Sequence, residues 1–207
     1  MTPPAVLPLD IIVGVVLYWF ALGLAALVRP QNLRFVSRIL FPLSVAGALV
    51  LTVAAAVAMT RDAAVAVLPL GLPDLPFHLR LDALSAFFIA LLGFAVTGIS
   101  LFSAGYFRHG QGTAPGLLCL QYHVFVGAMV LVFVADDAYL FMVAWETMAL
   151  SSYFLVIASH RIPEIRSAGF LYLLLAHVGA IGVLLAFGVM QGFGGDYTFE
   201  AMRQSEL

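Results

Sequence analysis

Six stretches of this chain are each long and apolar enough to cross a hydrocarbon core of about 30 Å as a helix. They run from about Pro8 to Val28, Ile39 to Met59, Asp82 to Phe107, Leu117 to Ala135, Ala138 to Ser159 and Ser167 to Met190. Only 10% of the 207 residues are charged, against about a quarter in a soluble domain. The pattern predicts an all-α polytopic membrane helix bundle of about six transmembrane helices, with no separate soluble domain. The bilayer is its solvent, and no basic patch suits nucleic acid. The first run has no basic residue before it and no small-residue cleavage site after it, so it reads as a retained helix and not a signal peptide. Its Asp10 belongs at the interface.

Between the second and third runs lies AVAVLPLGLPDLPFHLRLD (64–82). Pro69, Pro73 and Pro76 forbid a helix there. Phe77, Leu79 and Leu81 alternate with His78, Arg80 and Asp82 at a period of two, which predicts a short β-hairpin at the membrane surface. After Met190, Gln-Gly-Phe-Gly-Gly reads as a loop, and DYTFEAMRQSEL (196–207) as a short surface helix or the approach to another span.

All nine basic residues are arginine. Arg29, Arg34, Arg38, Arg108, Arg161 and Arg166 fall in alternate loops, which the positive-inside rule assigns to the cytoplasm. The opposite side holds Arg61, Arg80 and Arg203 among Asp62, Asp74, Asp82, Asp136, Asp137, Asp196, Glu200 and Glu206. Both termini are then expected outside. Cys119 is the single cysteine, which excludes an intrachain disulfide and a CxxC metal site. It reads as a small core residue.

Glu146 is the charge that most needs a reason. It lies about nine residues into its run, near mid-membrane, where a carboxylate costs about 2.5–3.5 kcal/mol on insertion scales. Protonation, which desolvation favours, or a nearby cation relieves that cost. Both outcomes suit a proton carrier, and the bland alternative is a neutral acid bonded to a neighbouring helix. Met142, Ala149, Leu150 and Tyr153 share its helical face. Ser151, Ser152 and Tyr153 add hydroxyls towards the arginine-rich side, although such serines often bond only their own backbone. His177, with Tyr172 five residues earlier, and His123, beside Gln121 and Tyr122, could relay protons near neutrality. Two histidines on different helices could instead ligate haem, and a packed histidine is the bland alternative. Asp136-Asp137 reads as a solvated turn that also caps the fifth helix. His160, Arg161, Glu164 and Arg166 form the next polar loop, where Pro163 helps end the helix. Gly93, Gly98, Gly127, Gly179 and Gly182 read as close helix-packing sites.

The run AYLFMVAWETMALSSYFLV (138–156) resembles the fifth membrane helix of the antiporter-like proton-pumping subunits. These occur in respiratory complex I, Mrp-type cation/proton antiporters and membrane-bound hydrogenases. Trp145-Glu146 followed by Leu150, Ser152 and Tyr153 carries the likeness. FHLRLDALSAFF (77–88) and ISLFSAGYF (99–107) resemble the same family. AGFLYLLLAHVG (168–179), which contains His177, looks closest to its hydrogenase-4/formate hydrogenlyase branch. The resemblance implies that Glu146 carries protons and pairs with a lysine on a broken seventh helix. It also implies about fourteen helices built from two inverted repeats. This chain has six runs and no lysine, so residues 1–115 read as the first three helices with the hairpin, and 116–207 as the start of the first repeat.

The expected function is thus that of the N-terminal portion of a membrane subunit of a proton-translocating hydrogenase, formate hydrogenlyase or NADH:quinone oxidoreductase-like complex. Glu146, His177, Tyr153, Ser152 and His123 are the candidate proton-translocation residues. Other membrane subunits and a hydrophilic redox arm are the expected partners. No cofactor or metal is expected in the chain, and any redox catalysis belongs to partners. The expected place is a bacterial cytoplasmic membrane. The alternatives are a non-conducting remnant, a membrane anchor for partner subunits, or a haem-binding electron carrier.

Overall fold

The computed structural model describes residues 7–106, 112–192 and 196–204. Arg108, Phe107, Gly194, Gly195 and Glu206 lie outside the described residues. Among the described residues six helices are long and apolar enough to span a membrane. They are α1 (Pro8–Ala26), α2 (Leu33–Ala58), α3 (Ala83–Tyr106), α4 (Pro115–Val134), α5 (Ala138–Ser159, its last turn 3₁₀) and α6 (Pro163–Gln191). A short α7 (Phe199–Gln204) follows. Strands β1 (Ala64–Leu72) and β2 (Leu75–Leu81) form the hairpin between α2 and α3.

Two boundaries differ from the sequence reading for the same reason, proline. Pro42 sits inside α2, where it removes an N–H and pushes its ring at the Arg38 carbonyl. The helix answers with a wider π turn over Val36–Leu40, closed by Phe41 N–H on the Val36 carbonyl. The span therefore begins at Leu33, with Asn32 accepting the Phe35 N–H at 3.0 Å as its cap. Pro163 does not end a helix but opens α6 as its first residue, where a missing N–H costs nothing.

Packing runs in a row: α3 on α2, α2 on α1, α1 on α4, α4 on α5 and α5 on α6, with α3 also touching α4. Ile12 and Trp19 of α1, Leu51 of α2, Ile89 and Val96 of α3, Val126 and Val130 of α4 and Leu140 of α5 are all buried in one continuous core. Small residues let these helices approach, as lipid-embedded helices require. Ala48 and Ala55 of α2 are fully buried. Half of the apolar window of α4 is inside the protein, against 6% for α6. So among the described residues α6 is an edge helix held chiefly by α5, with most of its apolar surface facing outward.

The glycine expectation splits. A methyl group on Gly93 would run into the Thr52 hydroxyl with the α2 backbone behind it, and one on Gly127 would meet the Phe20 ring. Gly98, Gly179 and Gly182 have open space, so they are not packing sites among the described residues. Gly93→Ala should therefore lower the stability of the detergent-solubilised protein by about 1–3 kcal/mol, the usual range for overpacking. Gly98→Ala should stay within about 0.5 kcal/mol of the parent. Thermal unfolding of both variants checks the pair, and equal transitions would refute the packing account.

The hairpin reads as the prolines and the period of two require. The β-strands are antiparallel, with Ala64 opposite Leu81, a two-residue Pro73-Asp74 turn and an irregularity between Leu68 and Gly71. Leu79 and Leu81 turn inward and are buried. At the opposite end of the bundle the loops bond one another: Gly116 N–H donates to the Pro30 carbonyl, and Thr113 N–H to the Ala158 carbonyl.

Candidate functional site

The edge of the bundle carries the candidate proton site. Glu146 is the ninth residue of α5, so its Cα lies about 12 Å along the helix from Ala138. Across the α5–α6 contact its Oε2 is 3.4 Å from His177 Nε2. The other ring nitrogen, Nδ1, lies 2.9 Å from the Leu173 carbonyl. A carbonyl can only accept, so Nδ1 carries a proton. Nε2 is then the one ring atom free to exchange a proton, and it faces the carboxyl. The side chains are 34% and 44% exposed respectively, on the outward side where α6 lacks further neighbours among the described residues.

A second polar contact ties the same two helices. Ser152 Oγ donates to the Ala149 carbonyl at 2.8 Å. Its only proton is thereby used, so the Tyr172 hydroxyl, 2.6 Å away, is the donor to Ser152. Ser151 bonds its own helix at Thr147 and Met148. Tyr153 packs edge-on against Phe154 and beside Gly169 of α6. Of the expected site residues, then, Glu146, His177, Ser152 and Tyr153 all lie along the α5–α6 seam.

His123 does not. It is fully buried on α4, with its Nδ1–H donating to the Cys119 carbonyl at 2.7 Å and its ring 6.2 Å from that of Phe41 on α2. Beside it lies a buried hydroxyl cluster that the sequence did not reveal. Ser100 of α3 donates to Ser44 of α2 at 3.2 Å, and Tyr122 of α4 lies 3.0 Å from Ser100. Each is a common residue in an apolar run, and only the packing of three helices brings them together.

The hairpin end is a separate polar assembly. Asp137, expected to be a solvated cap, does cap α5, accepting the Leu140 N–H at 2.6 Å. It is not solvated, because its other oxygen accepts the His78 N–H of β2 at 2.6 Å and its side chain is 0% exposed. His78 Nδ1 lies 3.5 Å from the same oxygen, but outside hydrogen-bonding geometry. The 196–204 segment completes the assembly: Ala138 N–H donates to the Tyr197 carbonyl, Phe199 N–H to the Asp136 carbonyl, and the Tyr197 hydroxyl to the Pro76 carbonyl. Arg80, Asp136, Glu200 and Arg203 interleave as weak ion pairs, with Arg203 and Glu200 at 2.9 Å. Burial pushes the Asp136 carboxyl above its usual range, against the pull of Arg80 and Arg203. The Ser85 N–H holds Asp82 below it.

Six apolar helices long enough to span a membrane define a multi-pass membrane protein, and an acid–histidine pair lies between two of them. Residues 135–206 match the family model described as NADH:quinone oxidoreductase/Mrp antiporter, transmembrane. Hydrogenase-4 component B of Escherichia coli (strain K12) is 36% identical over 129 residues, covering 62% of this chain and 19% of that protein. An uncharacterized protein of Mycobacterium tuberculosis is 35% identical over 132 residues, covering 63% of this chain and 20% of that protein. The match spans about a fifth of the length of these relatives. The fold is similar to a chain in the structure of the membrane-bound sulfane sulfur reductase, an archaeal respiratory membrane complex. There the TM-score is 0.71 at 22% identity, over 93% of this chain and 29% of the other. Over these residues the chain is similar to antiporter-like membrane subunits.

Proposed function

We propose that this chain serves a proton-translocating membrane subunit of a hydrogenase, formate hydrogenlyase or NADH:quinone oxidoreductase-like complex, with Glu146 as intramembrane proton carrier and His177 as its exchange partner. The 3.4 Å approach of the two side chains carries the reading. With Nδ1–H committed to Leu173, one proton can sit between Nε2 and Oε2 in two ways: on a neutral acid facing a neutral imidazole, or on an imidazolium facing a carboxylate. Both forms have zero net charge, so the exchange moves no net charge into a medium of low dielectric. A charge-assisted hydrogen bond is about 2.7–2.9 Å long, so transfer requires a small closure of α6 on α5. Tyr172, Ser152 and Tyr153 on the same seam supply further hydroxyls along the route.

The expected partners are other membrane subunits, against the outward face of α6, and a hydrophilic redox arm that drives the exchange. The expected setting is a bacterial cytoplasmic membrane, with the arginine-bearing loops inside and both termini outside. Glu146→Gln is the direct test. In inverted vesicles holding the assembled complex, substrate-driven proton uptake should be lost while electron transfer and the membrane level of the chain persist. Unchanged uptake would sink the carrier role and leave an anchoring one.

A further inference from the structure

At the hairpin end of the bundle a cleft opens between α1 and α2. Its inner part, about 400 Å³, is lined by Ile11 of α1 and by Leu49, Val50, Val53 and Val57 of α2, and it ends at Arg61. The cleft continues into an outer part of about 590 Å³ beside Thr60, Arg61, Asp62 and Ala63. Pro8 and Arg61 belong to both parts. Leu49 to Val57 rises about 12 Å along the helix, close to the about 15 Å thickness of one leaflet's hydrocarbon. Arg61 stands one turn beyond, at headgroup level. Val53 is 64% exposed and Leu49 52%, so the groove opens sideways, where lipid lies. Among the described residues no carboxylate pairs with Arg61.

We propose that this cleft is a binding site for one anionic phospholipid, with an acyl chain along α2 and the phosphate on Arg61. The depth selects the occupant. A transmembrane partner helix would need a groove across the whole core, about 30 Å, whereas this one stops near mid-depth at Leu49. An uncovered apolar floor beneath a single unpaired cation matches the chemistry of a lipid tail beneath its phosphate. Asp62 lines the outer part as well and opposes the binding of an anion, so it sets the strength of the preference.

The test uses the full chain in phosphatidylcholine vesicles, with trace spin-labelled phosphatidylglycerol or spin-labelled phosphatidylcholine as probe. The motionally restricted fraction is read by electron paramagnetic resonance. The parent should favour the glycerol lipid about fivefold, the factor worth one basic side chain near an anionic surface. Arg61→Gln should bring the ratio to one, and Asp62→Asn should raise it. Val53→Trp should fill the groove and remove the preference, and excess inorganic phosphate should leave the parent's preference intact. A parent ratio near one, a ratio unmoved by Arg61→Gln, or displacement by phosphate alone would each overturn the assignment.

Discussion

Asp137→Ala should destabilise the protein by about 3 kcal/mol, since a buried and a half-buried N–H group lose their acceptor at about 1–3 kcal/mol each. One of them, Leu140 N–H, is the helix cap of α5, and the other, His78 N–H, lies 59 positions earlier in the chain. The side chain therefore does two jobs that no exposed turn residue could do. It starts α5 within a three-residue connection from α4, and it fastens the β-hairpin across the end of the bundle. Asp137→Asn keeps one carbonyl oxygen and presents an amide donor where the second acceptor stood, so it should recover about half of the loss. Thermal unfolding in detergent gives the first comparison, and proteolysis at the Pro73-Asp74 turn gives a local one, since the hairpin should be cut faster once His78 is released. An Asp137→Ala transition within about 0.5 kcal/mol of the parent would mean that water replaces the carboxylate and that the hairpin is held by its apolar residues, Leu79 and Leu81, instead.

The same residue shows where the sequence is readable and where it stops. The spans are legible because a chain this apolar leaves its backbone no alternative to helices in lipid. The hairpin is legible because three prolines and a period of two act locally. Asp136-Asp137 looks solvated for a local reason as well: two acids in a short turn usually are. The strand that covers Asp137 comes from residue 78 and the segment beside it from residue 197, contacts that no neighbouring residue announces. Pro163 is ambiguous in the sequence because a proline between two apolar runs ends one helix as readily as it starts the next. Glu146 and His177 each stand out singly as rare titratable groups in apolar runs. Their meeting depends on how α5 and α6 are rotated about their axes, and the separation of His123 from them depends on α4 turning that side chain towards α2. Periodicity gives each helix a face but not the partner of that face.

Removing the imidazole should impair proton uptake almost as severely as removing the carboxyl. Without His177, ionised Glu146 has no cation beside it among the described residues, and an uncompensated carboxylate at mid-membrane costs about 2.5–3.5 kcal/mol. The proton that Glu146 carries then has no exchange partner on α6, and a carrier that cannot hand on its proton does not turn over. His177→Leu should therefore cut substrate-driven uptake in inverted vesicles nearly as far as Glu146→Gln does. Tyr172→Phe, which removes only the hydroxyl donated to Ser152, should cost less than about threefold, as expected for a neutral hydrogen bond of about 0.5 kcal/mol. The double variant Glu146→Gln/His177→Leu should be no worse than Glu146→Gln alone, because that change already breaks the same exchange. Infrared difference spectra offer a reading independent of turnover: the interchange of carboxylate and protonated-acid bands that the exchange produces at Glu146 should be lost in His177→Leu. A His177→Leu protein that pumps normally and keeps that interchange would show that the charge of Glu146 is compensated from another helix, and that the 3.4 Å contact only holds α6 against α5.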